Sequence, residues 1–181
     1  MRLETERLVL REFVEDDWRA LFAIESQPDV VRYQANDVHD EARSREYVQG
    51  IMVCAREVPR LVFDLAITRP GDDTYIGRVG MRRADADPRL GELWFVIAPE
   101  HQGHGYVTEA ARALVTYAFA ELGMHRIHGD CDPRNPASAR VMERLGMRRE
   151  GHLVQNVFLK GEWCDSLIYA VLASEWGHPP R

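Results

Sequence analysis

Apolar and polar residues alternate across residues 7–13, Arg-Leu-Val-Leu-Arg-Glu-Phe, which predicts a strand. The acidic run after it places Asp16 or Asp17 to cap a helix over about residues 18–26, stopped by Gln27-Pro28. A second helix is predicted over about 41–57 and ends before Pro59. Residues 61–69 and 75–83 flank a Pro-Gly-Asp-Asp turn and read as a strand pair, and residues 92–98, Glu-Leu-Trp-Phe-Val-Ile-Ala, read as a further strand. Val107, Ala110, Ala111, Leu114, Val115, Ala118, Phe119 and Leu122 then form one apolar helical stripe that stops at Gly123. A short strand at 126–131, a turn and short helix up to Gly146, and a hairpin of residues 152–159 and 164–172 complete the chain. The predicted order is strand, two helices, three strands, helix, strand, helix, two strands. No repeat or linker interrupts it, so residues 1–181 are expected to form a single domain.

Composition narrows the functional classes. With 45% hydrophobic and 29% charged residues, 181 residues suffice for a sizeable core. No apolar run reaches the ~18–20 residues of a membrane span, and the charged N-terminus is unlike a secretory signal. Cys54, Cys131 and Cys164 are widely spaced with no CxxC pair, which fits reduced thiols in a cytoplasmic protein rather than a metal site. The net charge of −6 and the absence of a basic cluster argue against nucleic acid as partner.

The junction from strand 92–98 into the following helix carries the candidate chemistry. A strand-to-helix loop exposes free N–H groups at a helix start, where an anion is favoured. Gly103 and Gly105 let a ligand approach that backbone. No lysine follows Gly105, so this is not a P-loop. Thr108 occupies the third place of a GxGxxG fingerprint, and the strand pair upstream implies an antiparallel sheet, both of which disfavour a dinucleotide fold. The remaining readings are a diphosphate cradle or a plain turn.

Four segments carry a family likeness: "LETERLVLREF" (3–13), "GELWFVIAPEHQGHGYVTEA" (91–110), "NPASARVMERLGMRREG" (135–151) and "KGEWCDSLIYAVLASEW" (160–176). Together they resemble the GNAT superfamily of acetyl-CoA-dependent N-acetyltransferases, and within it the RimJ/RimL-like branch. The signature Q/R-x-x-G-x-G/A lies on Gln102, Gly105 and Val107, with Val107 departing from the usual small residue. The resemblance implies an α/β (α+β) fold: a mixed, mostly antiparallel sheet with helices on both faces. Its fourth and fifth strands, 92–98 and 126–131, splay apart to admit acetyl-CoA. A ligand that completes the ladder gives an unpaired strand edge a physical purpose.

The same resemblance assigns roles. The pantetheine arm pairs with backbone around Phe95, Val96 and Ile97, and the pyrophosphate is held by Gln102, Gly103, His104, Gly105, Tyr106 and Val107. His104 stands where the family often has lysine or arginine; the other reading is a solvated loop histidine. Direct attack on the thioester requires a neutral amine, and Glu92 is the candidate base, with pairing to a nearby arginine as its other reading. A backbone N–H at Val96 or Ile97 is a candidate oxyanion donor. Asn135 and Ser138 match the branch's N-x-x-S pattern: Asn135 for the pantetheine amides or as a helix cap, Ser138 for the cofactor sulfur or its proton. Met142 occupies the place of the tyrosine acid found in many relatives, so that route is excluded. Glu109 reads as structural, and Cys131 as an inert buried thiol. Tyr33, Asp37, Asn156 and Phe158 are the acceptor-binding candidates. The implied acceptor is a protein N-terminal α-amine, with a small amine (polyamine, amino acid or antibiotic) or a non-catalytic acyl-CoA-binding module as alternatives. A homodimer is common among such proteins.

Overall fold

The computed structural model describes residues 1–177. In chain order these form β1 (Arg2–Glu4), β2 (Val9–Arg11), α1 (Asp17–Glu25), α2 (Pro28–Val31), α3 (Glu41–Cys54), β3 (Val62–Arg69), β4 (Asp72–Arg83), β5 (Leu90–Ile97), α4 (Tyr106–Ala120), β6 (Arg126–Cys131), α5 (Pro136–Arg144), β7 (Arg148–Leu159) and β8 (Glu162–Leu172). A single 3-10 turn, Pro99–His101, follows β5. The strands make one sheet in the order β1-β2-β3-β4-β5-β6-β8-β7. Every neighbouring pair is antiparallel except β5 with β6.

The single strand expected at 7–13 is instead the second arm of a hairpin, with Leu3 opposite Leu10. Thr5 makes the turn: its hydroxyl accepts from Leu8 N–H (3.0 Å), and its own N–H donates to the Leu8 carbonyl (3.0 Å). Arg7 N–H donates to Glu109 (2.9 Å) rather than to a ladder partner. Pro28, which stops α1, opens the short α2, since a proline costs nothing where an N–H would be unpaired anyway.

The sheet divides the core into two layers. Ala110, Ala111, Leu114, Val115 and Ala118 of α4 pack with Leu65, Ile67, Val79, Met81, Leu93 and Ile127 on one face. Phe13, Leu21, Ile24 and Val48 pack with Ala66, Tyr75 and Val96 on the other. Burying each valine, leucine, isoleucine, methionine or phenylalanine among them is worth about 1.5–3 kcal/mol. Strand β5 feeds both layers by alternation, Leu93 toward α4 and Val96 toward α1 and α3.

The same strand opens the sheet. β5 stays with β4 from Gly91 to Ile97, and β6 stays with β8 along its whole length. Between them, β5 and β6 pair only at Leu90, Gly91 and Glu92, opposite Arg126, Ile127 and His128. Past that point each strand follows its own half of the sheet.

Candidate functional site

The opening between β5 and β6 leads into a cavity of about 1070 Å³ lined from both strands, the loop before α4, α5 and the β7–β8 hairpin. Backbone direction on β5 decides which groups face it. A Cβ on Gly77 of β4 would meet the Val96 carbonyl at 2.4 Å, and a Cβ on Gly129 of β6 would lie 3.3 Å from the Leu93 carbonyl. Ala98 N–H donates to Ile76 of β4. Strand residues alternate the edge to which their backbone groups point. Phe95 and Ile97 therefore turn N–H and C=O toward the opening, whereas Val96, expected to do the same, turns its own toward β4 and contributes only its side chain.

At the end of β5 the chain turns at Pro99–His101 and enters α4 through Gly103 and Gly105, both at φ +79°. Only glycine holds that conformation without strain. A Cβ on Gly103 would have nothing within 4 Å, and one on Gly105 would meet only Arg7 Nη2 at 3.6 Å. The loop thus presents bare backbone to the cavity beside the first turn of α4, the local chemistry that suits a diphosphate. Gln102, Gly103, Gly105, Tyr106 and Val107 all line it. His104 does not: its ring stacks on Tyr106 at 5.5 Å, and its carbonyl accepts from Arg7 (3.0 Å). Arg7 is held by Glu109 (2.7 Å), which also accepts from the Thr5 hydroxyl (2.6 Å). Burial opposes ionisation of Glu109, but the Thr5 and Arg7 contacts outweigh it and hold the carboxyl below its ordinary range. Glu109 therefore works as the clamp that fixes the N-terminal hairpin against the glycine loop.

On the opposite wall, Asn135 caps α5: its side-chain oxygen accepts from Ser138 N–H (3.2 Å) and its amide donates to Ser138 Oγ (3.0 Å). Both line the cavity. Ser138 accepts from Asn135 and so keeps its own proton for a partner in the opening. Met142 is buried beneath Gly129 (3.1 Å from its Cβ direction) and supplies no acid. Cys131 also lines the cavity, but burial, aided by Asp130 and Asp132, pushes its thiol up to about 11, so it stays protonated at neutral pH.

Glu92 sits where β5 leaves β6, exposed, on the cavity wall, and paired in register with Arg82 across β4. The register runs unbroken from Gly91 to Ile97, so no bulge turns it from the face it shares with Trp94 and Val96. Arg82 itself bonds Asp85 (3.0 Å), which leaves Glu92 without an ion pair among the described residues. Of the acceptor candidates, Tyr33 and Asn156 line the cavity, while Asp37 and Phe158 do not. Asp37 is exposed in the loop before α3. Phe158 is 57% exposed and packs edge-on against Trp163, its cross-strand neighbour (5.4 Å between centroids). Lys160, the chain's one lysine, donates to the Val31 carbonyl, and the Arg134 guanidinium lies 5.9 Å from the Tyr33 ring. The Lys160 bond ties the hairpin tip to the end of α2 across the acceptor side, and Arg134 approaches Tyr33 from the loop before α5.

Beneath that side lies a buried charge cluster not anticipated from the sequence. Arg78, 4% exposed, bonds Glu25 (2.7 Å), Asp64 (3.3 Å) and the Tyr47 hydroxyl (2.8 Å). Asp64 also accepts from Tyr47 (2.5 Å) and from the Trp94 indole (3.3 Å). Arg78, Tyr47 and Trp94 line the cavity floor. Burial pushes the Asp64 carboxyl up against the opposing pull of Arg78. Trp94 lies flat over Gly80, where a Cβ would fall 2.3 Å from the indole. Gly80→Ala is therefore expected to displace Trp94 from Asp64 and to cost about 1–3 kcal/mol in a denaturant melt.

His39, next to this cluster, is 2% exposed with neither ring nitrogen hydrogen-bonded, and burial lowers its pKa. The unfolded chain takes up a proton at this histidine below about pH 6.5, where the folded chain resists it. Stability is thus expected to fall as pH drops below that value. It falls further below about pH 4.5 as Glu12, Glu109 and Asp132, all held low in the folded state, lose their charge. Thermal melts across pH 4–8 read both limbs, and His39→Gln should remove the upper one.

A family model described as Acetyltransferase (GNAT) domain matches residues 7–148. The uncharacterized N-acetyltransferase YnaD of Bacillus subtilis (strain 168) is 33% identical over 177 residues, covering 97% of this chain and 99% of its own. A crystal structure of a GNAT-family acetyltransferase from Bacillus anthracis is 31% identical with a TM-score of 0.87, covering 97% of this chain and 100% of that one. RimL, a ribosomal L7/L12 α-N-protein acetyltransferase solved with coenzyme A, shares the fold at a TM-score of 0.83 and 20% identity, covering 95% and 98% of the two chains.

Proposed function

The chain belongs to the GNAT acetyltransferase family, and from that premise we propose that it uses acetyl-CoA to acetylate a primary amine, with a protein N-terminal α-amine as the favoured acceptor. One observation carries this reading: the free edge of β5 at Phe95 and Ile97 leads through the Pro99–His101 turn to the bare glycine loop, and edge and loop share a cavity with Glu92. An extended arm bearing amides pairs with such an edge, and a diphosphate suits such a loop. RimL, which shares the fold, was solved with coenzyme A.

When bound, acetyl-CoA supplies an activated acetyl group as a thioester. The chain's residues do the rest. Phe95 and Ile97 offer backbone N–H donors on the wall, preorganised because β4 fixes the strand. Glu92 accepts a proton from the incoming ammonium, directly or through water, and restores the neutral amine that attacks. Ser138 Oγ–H provides the proton source on the opposite wall, where a tyrosine is absent.

The N-terminal α-amine is favoured because RimL is by name an α-N-protein acetyltransferase and because such an amine, with pKa ~8, is the easier to deprotonate at neutral pH. A small cationic amine is the second reading. It is supported by Asp29, Glu92 and Asp130, three carboxylates on the cavity wall with no ion pair among the described residues. The test is a panel of N-terminal peptides, polyamines and amino acids incubated with acetyl-CoA and read by mass spectrometry. Acetylated peptide N-termini support the first reading, and acetylated polyamines alone support the second. Binding of acetyl-CoA with no product from any amine would leave a non-catalytic binding module.

A further inference from the structure

Of the four tryptophans in the chain, Trp94 alone lines the cavity among the described residues. It stands opposite Gly80 of β4, which in turn stands opposite Asp64 of β3. Because Gly80 has no side chain, the indole lies across β4 and its N–H donates to Asp64 (3.3 Å). The ring is thereby fixed, half-buried, with its remaining surface on the cavity wall. No arginine or lysine stacks on it among the described residues. Arg78 and Arg82, the cations of β4 on this face, are turned to Glu25, Asp64 and Asp85. Across the opening, Ile127 and Cys131 of β6 belong to the α4 layer, so by alternation His128 and Asp130 take the face of Glu92 and Trp94. Glu92 is the last residue of β5 paired with β6, opposite His128. Two residues further on, where the strands have parted, come Trp94 and Asp130. Asp130 is exposed, lines the cavity and has no ion pair among the described residues. An indole face and a free carboxylate thus stand at one level on the two sides of the opening.

Resting on the amine-acetylation reading above, we propose that Trp94 and Asp130 form a cation subsite that selects acceptors carrying a second positive charge beside the reacting amine. Glu92 takes the proton of the nitrogen that is acetylated, and Trp94 and Asp130 hold the charge that remains. Two residues of a strand span about 6.6 Å, so the second charge belongs at roughly that distance from the reacting nitrogen. The indole is the aromatic face that attracts a cation most strongly, and the carboxylate adds a direct opposite charge. Two sources supply such a charge: the side chain of an N-terminal lysine whose α-amine is acetylated, or the far amine of an alkyl diamine.

Steady-state kinetics on two matched acceptor pairs tests it: the four-carbon α,ω-diamine against butylamine, and a peptide with N-terminal lysine against the same peptide with norleucine. Mass spectrometry of the products locates the acetyl group. The charged member of a pair is expected to be preferred about 10-fold or more in kcat/KM. The preference should lie mainly in KM, because a contact away from the reacting atoms acts on ground and transition states alike. It should approach one in Trp94→Leu and in Asp130→Asn, whereas Trp94→Phe, which keeps a ring, should retain part of it. Asp130→Asn replaces an exposed side chain by its isostere, so it reads the subsite even where Trp94→Leu disturbs the packing over Gly80. A preference in one pair alone supports the subsite and identifies the source of the charge. Members within twofold of each other in both pairs, or a preference that persists in Trp94→Leu or in Asp130→Asn, overturns the subsite while leaving amine acetylation standing. Absence of product from all four acceptors overturns both.

Discussion

Arg78→Met is expected to lower the unfolding free energy by about 3–5 kcal/mol, because it leaves buried carboxylates without their cation. Glu25 and Asp64 have no side-chain exposure, and both turn to Arg78. The loss is a large share of the ~5–15 kcal/mol that a domain of this kind has in total. Its pH dependence identifies the cause. Asp64 is already pushed up by burial, and without Arg78 it rises further. A group raised in the folded state gives stability that is present at low pH and lost as pH rises, so the variant's deficit should be smaller at pH 5 than at pH 8. Arg78→Met/Glu25→Gln/Asp64→Asn should recover much of the loss, since removing a whole buried charge cluster is far less costly than breaking it. Urea melts at the two pH values decide the matter: an Arg78→Met variant within about 0.5 kcal/mol of the parent would mean that the cluster is not a stabilising unit.

Glu92→Gln should have the largest effect on turnover, a fall in kcat of about 10²–10⁴-fold, the range that general-base removal produces. Its stability should hardly change, because Glu92 is exposed and makes no ion pair among the described residues. Affinity for acetyl-CoA should also survive, since glutamine keeps the side chain's shape and the proposed cofactor contacts lie further along β5 and in the loop. Steady-state kinetics against both substrates separates the outcomes. A selective loss of kcat supports the base. Full activity in Glu92→Gln removes Glu92 from that role and moves attention to Asp130, which shares the wall.

Much of this architecture was legible because periodicity is a local property. The stripe from Val107 to Ala118 specifies α4 and its buried face, and the short apolar run that follows Glu92 marks β5, a strand buried on both faces. The glycine loop was legible for a related reason: backbone at φ +79° restricts the residue type. Other features depend on positions far apart. Glu25, Asp64 and Arg78 come from a helix and two strands, and no local pattern joins them. A signal was present all the same, a lone charge in the middle of each of two apolar strands, Asp64 in residues 61–69 and Arg78 in 75–83. Buried charges need partners, so the two could have been paired.

The position of Phe158 off the cavity wall has a similar origin. Asn156 and Phe158 lie two apart and would share a face in a regular strand. β7, however, is irregular between Leu153 and Val157, with Gln155 at φ +47°. Bulges re-aim side chains, and here Asn156 faces the cavity while Phe158 packs on Trp163. At the N-terminus, the clamp formed by Thr5, Arg7 and Glu109 spans about a hundred residues, and it sits at the turn of a hairpin whose first arm, residues 2–4, lies outside the strand read from the sequence.

Backbone amide exchange at β5, with and without coenzyme A, tests the ligand path most directly. If the pantetheine arm completes the open edge, Phe95 and Ile97 should slow on saturation while Trp94 and Val96, already turned toward β4, stay as they were. Saturation with coenzyme A that leaves Phe95 and Ile97 exchanging at their original rates would contradict the account.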